Sequence, residues 1–203
     1  VEHPDSAPRL RFFYGLTAAC MALLCVAANG ILFLVAWEVM ALLGFLMVTV
    51  DDRDPEVRDA GWVYLVAAHA GTLCLLAGFA LLATSQGSFA LGPLPQGFAA
   101  SPRGTATFLL LLLGFGLKAG LMPLHVWLPV AHAAAPSHVS ALLSGLMIKM
   151  GILGLARILA WTPDPPLWWG GLLLGLGALS GILGVAYAIG QHDLKRLLAY
   201  HSV

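Results

Sequence analysis

Apolar runs of about twenty residues recur along this chain, and no other feature constrains its fold so strongly. A helix needs roughly 20 mostly apolar residues to cross the hydrocarbon core of a bilayer. Such runs fall at about 12–28, 29–50, 60–83, 105–130, 138–161 and 167–189. An amphipathic stretch, Asp193-Leu-Lys-Arg-Leu-Leu-Ala-Tyr-His201, then looks like the entry to one more helix. Of the 203 residues, 60% are hydrophobic and only 10% are charged, where a soluble domain carries about 25% charged residues. That much apolar surface has no place in a water-soluble core of this size. The expected architecture is all-α: a polytopic membrane helix bundle of six transmembrane helices plus the start of a seventh, with residues 1–203 forming a single transmembrane domain.

The connections agree with this division. Asp51–Asp59 is a polar loop, residues 84–103 hold three prolines and three glycines, and Trp161-Thr-Pro-Asp-Pro-Pro166 is a short turn with a tryptophan at its edge. The first ten residues are polar and include Pro4 and Pro8, unlike a secretory leader. Val1 at the start and a helix cut short at Val203 suggest a fragment. Alternating the spans puts Arg9, Arg11, Arg53, Arg58, Lys195 and Arg196 on one side and Arg103 and Arg157 on the other. The positive-inside rule then places the 51–59 loop in the cytoplasm. The net charge of +0 offers no argument for nucleic acid or an acidic partner. Cys20, Cys25 and Cys74 lie in apolar runs without metal-ligand spacing and read as packing residues.

Three ionisable residues fall inside spans: Glu38 in the second, Lys118 in the fourth and Lys149 in the fifth. A charge at mid-membrane costs at least about 2.5–3.5 kcal/mol. A structural ion pair with one snorkelling lysine is one explanation; an ion or proton path is the other, and the depth of all three favours the path. A buried lysine is disfavoured as an ammonium by desolvation and favoured by a nearby carboxylate, so it can gain or lose a proton as a partner moves. Gly120 and Pro123 follow Lys118 closely. Proline lacks the helical donor and crowds the preceding turn, so the fourth span is expected to break there, either for packing alone or to admit water beside the lysine. His69 within the third span, and His125, His132 and His138 after the break, are candidate relay groups, or else core and loop-capping histidines. No metal site is expected, since no carboxylate or cysteine accompanies the histidines. Gly177 to Gly181 and Ser180 to Gly184 form small-xxx-small steps suited to close helix packing.

The segment from Phe115 to Gly151 contains Pro123-Leu-His-Val-Trp-Leu-Pro129, Ala135-Pro-Ser-His-Val-Ser-Ala-Leu142 and Ile148-Lys-Met-Gly151. It closely resembles the antiporter-like, proton-conducting membrane subunits shared by respiratory complex I, cation/proton antiporters and membrane-bound hydrogenases. The wording is most similar to the hydrogenase-4 component B and formate hydrogenlyase branch. Trp37-Glu38 and Asp193–Tyr200 resemble the family as well. The resemblance implies a fold of about fourteen helices with two inverted five-helix repeats, of which residues 12–161 would be the first and 167–203 the start of the second. It implies that Glu38 stands for the family's essential glutamate, Lys118 for the broken-helix lysine and Lys149 for the lysine of the following helix. Val130 departs from the pattern, since relatives commonly carry an acidic residue there.

The function so implied is proton translocation within a redox-driven complex of hydrogenase-4, formate hydrogenlyase or complex I type, through a Glu38–Lys118–Lys149 relay. A subunit of a cation/proton antiporter moving sodium, and a non-conducting anchor for a hydrogenase, are the rivals. No cofactor motif occurs in the chain, so electron transfer would belong to a peripheral redox module, with other membrane subunits as partners. The expected location is the bilayer of a bacterial inner membrane.

Overall fold

The structure, a computed structural model, describes residues 7–203; the polar start at residues 1–6, read above as no leader, lies outside the described residues. The fold is helical, with one isolated β-bridge between Asn29 and Ala90 among the described residues. In chain order the helices are α1 (Ala7–Val26), α2 (Gly30–Val48), α3 (Pro55–Gln86), α4 (Pro102–Ala119), α5 (Trp127–Ala134), α6 (Ser137–Leu142), α7 (Ile148–Trp161), α8 (Leu167–Ile189) and α9 (Leu194–Ser202). A π-helical turn, Leu143–Met147, joins α6 to α7. Among the described residues, five helices are long and apolar enough to cross a membrane: Pro8–Val26, Gly30–Val48, Pro55–Gln86, Ser137–Trp161 and Leu167–Ile189. The remaining expected span is the broken one, divided into α4 and α5.

Local chemistry sets the boundaries. The Asn29 side chain accepts from the backbone N–H groups of Ile31 and Leu32 and so starts α2. Asp54 caps α3 through the Glu56 N–H, with Pro55 in the first turn. The loop expected at 51–59 therefore ends early, and α3 runs for 32 residues. At 1.5 Å per residue that is about 48 Å, longer than a bilayer core, so its ends reach into the interfaces. Ser101 caps α4 at Gly104.

The break in the fourth span falls directly after Lys118 and Ala119, and of the two residues named for it Gly120 ends the helix. Gly120 adopts a φ of 73°, a conformation that costs glycine little. Its N–H reaches the Leu117 carbonyl and the Leu121 N–H reaches that of Gly116, the Schellman closure of a helix end. Pro123 comes afterwards, where a proline blocks any continuation.

An aromatic cluster of Phe33, Trp37, Phe79 and Phe115 joins α2, α3 and α4. The α3–α4 contact is close because Gly71 faces Gly114. A Cβ on Gly114 would lie 2.6 Å from Leu75 and 2.8 Å from the Gly71 carbonyl, so backbone meets backbone here. Arg157 of α7 donates to the Leu24 and Ala27 carbonyls at 2.8 and 2.7 Å. It closes the end of α1 while resting on the Trp161 ring; the charge count above had treated it as one more loop cation. The expected packing step from Gly177 to Gly181 has no neighbour within 4 Å, whereas Ser180 and Gly184 are buried. Cys20 is buried as expected, but Cys25 is exposed.

Candidate functional site

Glu38 lies on α2 facing α3. Its Oε2 accepts a hydrogen bond from Thr72 Oγ1 at 2.8 Å, and its Oε1 lies 2.9 Å from His69 Nε2. Both partners come from α3, three residues apart, so they project from one face of that helix. The carboxylate needs side-chain donors here, because the N–H groups of an unbroken helix are already used within the helix. The Glu38 side chain is 27% exposed and that of His69 47%.

Lys118 is 4% exposed, at the last turn of α4. Its Nζ lies 2.9 Å from Tyr64 Oη of α3 and 5.0 Å from the centre of the same ring. This bond survives a change of protonation. An ammonium donates to the phenolic oxygen, and a neutral amine accepts from the phenolic O–H. Tyr64 also packs edge-on against Trp127 of α5, whose Nε1 donates to the Leu117 carbonyl at 2.7 Å. The break is secured on its far side as well. The Met122 N–H donates to Ser180 Oγ of α8 at 2.8 Å, and Lys195 of α9 donates to the Ala135 carbonyl at 3.0 Å.

Glu38 and Lys118 do not form a direct ion pair among the described residues; the carboxylate binds His69 and the ammonium binds Tyr64. They remain near enough for the carboxylate charge to act on both Lys118 and Tyr64. Beside Lys118 is a small cavity lined by residues that include Trp37, Tyr64, Ala68, Gly71 and Lys118. Its free volume of about 10 Å³ is at the threshold for one water molecule.

Lys149 stands apart. It is exposed on the outer surface of α7, immediately after the π-helical turn. Two residues on, Gly151 packs against the Phe115 carbonyl and the Ala119 backbone. The turn that carries Lys149 thus lies beside the turn that carries Lys118, but Lys149 itself is exposed and does not line the Lys118 cavity. The histidines after the break do not form one group either. His125 stacks on Tyr187 and lies near Tyr200, from α8 and α9. His132, only 1% exposed, binds Ser140 through Nδ1 at 2.6 Å, and its buried Nε2 has no partner among the described residues. His138 is exposed. Among the described residues, no group of three His, Cys, Asp or Glu side chains could hold a metal ion.

Sequence reasoning missed Tyr64 and Thr72. The stripe Tyr64, Ala68, Gly71, Thr72 and Leu75 has helical spacing, and its two hydroxyls needed partners inside an apolar span. That was the available signal.

A model of the NADH:quinone oxidoreductase/Mrp antiporter transmembrane family matches residues 27–203. Hydrogenase-4 component B of Escherichia coli (strain K12) is 42% identical over 201 residues, covering 97% of this chain and 30% of that protein. Formate hydrogenlyase subunit 3 of the same organism is 36% identical over 178 residues, covering 88% and 28%. The chain therefore spans a little under a third of these relatives. Among solved structures, the Mrp complex from Dietzia sp. DQ12-45-1b superposes with a TM-score of 0.85 at 30% identity, covering 94% of this chain and 21% of that one.

Proposed function

The chain belongs to the NADH:quinone oxidoreductase/Mrp antiporter transmembrane family, and from that premise we propose that it carries protons across the membrane, with Glu38, Lys118 and Lys149 as the groups that hold them. The observation that carries this reading is the pairing of a buried ammonium and a half-buried carboxylate with partners that suit proton exchange. Lys118 rests on a hydroxyl that serves it charged or neutral, and Glu38 rests on a histidine. A merely structural ion pair would join the two charges directly. Lys149, two residues before the Gly151 contact with α4, is the station that faces outward, toward whatever protein packs on α7.

Residues 12–161 act as one five-helix repeat and 167–203 as the start of a second. The chain works beside other membrane subunits of a redox-driven complex whose peripheral module holds the cofactors. It sits in a bacterial inner membrane with the 51–59 loop in the cytoplasm. The resemblance to hydrogenase-4 component B and formate hydrogenlyase subunit 3 supports a hydrogenase-type complex.

The test is Lys118→Ala in the full-length gene product within its complex, with proton uptake by vesicles measured alongside subunit content. Uptake should be lost while assembly persists. Normal uptake at normal content overturns the reading. Wild-type uptake that depends on sodium would transfer the chain to the antiporter alternative.

A further inference from the structure

A neutral imidazole donates at one ring nitrogen and accepts at the other. His69 meets an acceptor at each. Its Nδ1 lies 3.0 Å from the Leu65 carbonyl, and its Nε2 lies 2.9 Å from Glu38 Oε1. A carbonyl oxygen can only accept, so Nδ1 carries a proton. Nε2 can then meet Glu38 in two ways. An imidazolium donates to a carboxylate, or a neutral ring accepts from a protonated carboxyl. Either form contains one proton more than a neutral imidazole beside a carboxylate. Without that proton, the Nε2 lone pair and a carboxylate oxygen would face each other at hydrogen-bonding distance with nothing between them.

The geometry points to Glu38 and His69 as a single store for one proton, with Thr72 as the residue that positions it. This rests on the proton-translocation reading for the use of the stored proton, but not for its existence. Moving the proton from His69 Nε2 to Glu38 Oε1 turns imidazolium and carboxylate into neutral imidazole and carboxyl, with no change in net charge. Releasing it leaves a neutral imidazole and a carboxylate, with a net charge of minus one. The Thr72 hydroxyl holds Oε2 at 2.8 Å and thereby keeps Oε1 turned toward the ring. The other titratable groups that face Glu38 are Tyr64 of α3 and Lys118 of α4. The empty store attracts a Lys118 ammonium and the loaded store does not. Departure of the proton from the store and its arrival at Lys118 therefore favour each other. The half-exposed ring of His69 puts the store on the outer side of the bundle, with the buried Lys118 inward of it.

Infrared difference spectra of the purified complex, titrated with pH, test this directly. In the wild type the carboxyl band of Glu38, identified by its loss in Glu38→Gln, should change together with the imidazole bands in one step. In His69→Phe the carboxyl band should titrate at a pH displaced by about one unit or more. His69→Gln, which can still donate to Glu38 but cannot hold the proton, should also separate the carboxyl from any imidazole step, and it serves if the phenylalanine variant fails to assemble. Imidazole and carboxyl bands that change at different pH values in the wild type overturn the store, as does an unshifted carboxyl band in both variants. Proton uptake measured on the same preparations keeps the two readings separate. A joint titration in a complex that takes up no protons defeats translocation alone. Separate titrations in a complex that pumps normally defeat the store alone.

Discussion

Gly44→Ala is expected to disable Lys118 without touching it. Gly44 lies on α2 opposite the Tyr64 hydroxyl. A Cβ at this position would stand 2.3 Å from Tyr64 Oη and 2.9 Å from Met147 Cε. The methionine end can swing aside. The hydroxyl, on a rigid ring held by Trp127, must retreat by about 1 Å to reach ordinary contact. Its bond to Lys118 is 2.9 Å long, and a lengthening of that size takes it beyond hydrogen-bonding range. A hydrogen bond to a charged group is worth about 1.5–3 kcal/mol and one between neutral groups about 0.5–1.5 kcal/mol, so this bond favours the ammonium by about 1 kcal/mol, or roughly fivefold in a rate that depends on Lys118 holding its proton. Alanine is the better helix former by about 1 kcal/mol, so α2 itself is not weakened. Proton uptake by vesicles should fall by that factor at undiminished subunit content. Tyr64→Phe removes only the oxygen and should fall as far. Because both act on one bond, the double variant should be no slower than Tyr64→Phe alone. Normal uptake in Tyr64→Phe, or fully additive losses in the double variant, would refute the role given to this hydroxyl.

Two further outcomes follow from the fold. Arg157→Leu leaves the Leu24 and Ala27 carbonyls at the end of α1 without their charged donor. The cost of about 2–5 kcal/mol should appear as a lower yield of assembled complex and a lower thermal midpoint, with Arg157→Lys recovering part of both. Arg53→Cys, in the short loop before α3, should react with a membrane-impermeant thiol reagent only when the cytoplasmic face is open; reaction from the other side alone reverses the proposed orientation.

Much of this was legible in the sequence, for definite physical reasons. Apolar runs of bilayer length have few alternatives to helix, so the helical fold could be read from hydropathy, although five of the six expected spans are single helices of crossing length and the fourth is divided. The break was legible too, though its cause was placed at Pro123 when Gly120 ends the helix. Proline is the more visible breaker in a sequence, whereas a left-handed glycine shows itself only through the carbonyls it closes. Side-chain partners were harder to read. Glu38 and Lys118 attract each other on paper because their charges are opposite. Which residue each one touches depends on how α2, α3 and α4 rotate about their axes, and Gly44, Gly71 and Gly114 set that rotation by allowing close approach. Lys149 looked central because it is central along its helix. Depth along an axis says nothing of which face a residue occupies, and the face of α7 that packs on α4 is the one bearing Gly151 and Gly154.

The placement of partners assigns a particular role to α3. Inside an apolar span a carboxylate must find donors and an ammonium must find acceptors, and regular helices have none of either to spare. Glu38 on α2 finds His69 and Thr72, and Lys118 on α4 finds Tyr64. All three partners stand on α3, within little more than two turns. A shift of α2 acts first on the carboxylate, and reaches the lysine only through Gly44 against the Tyr64 hydroxyl; a shift of α4 acts on the lysine. A shift or rotation of α3 changes both attachments at once, and it changes the small cavity beside Lys118, which Tyr64, Ala67, Ala68 and Gly71 of the same helix help to line. The two charges are thus linked through the helix that serves both, without a bond between them.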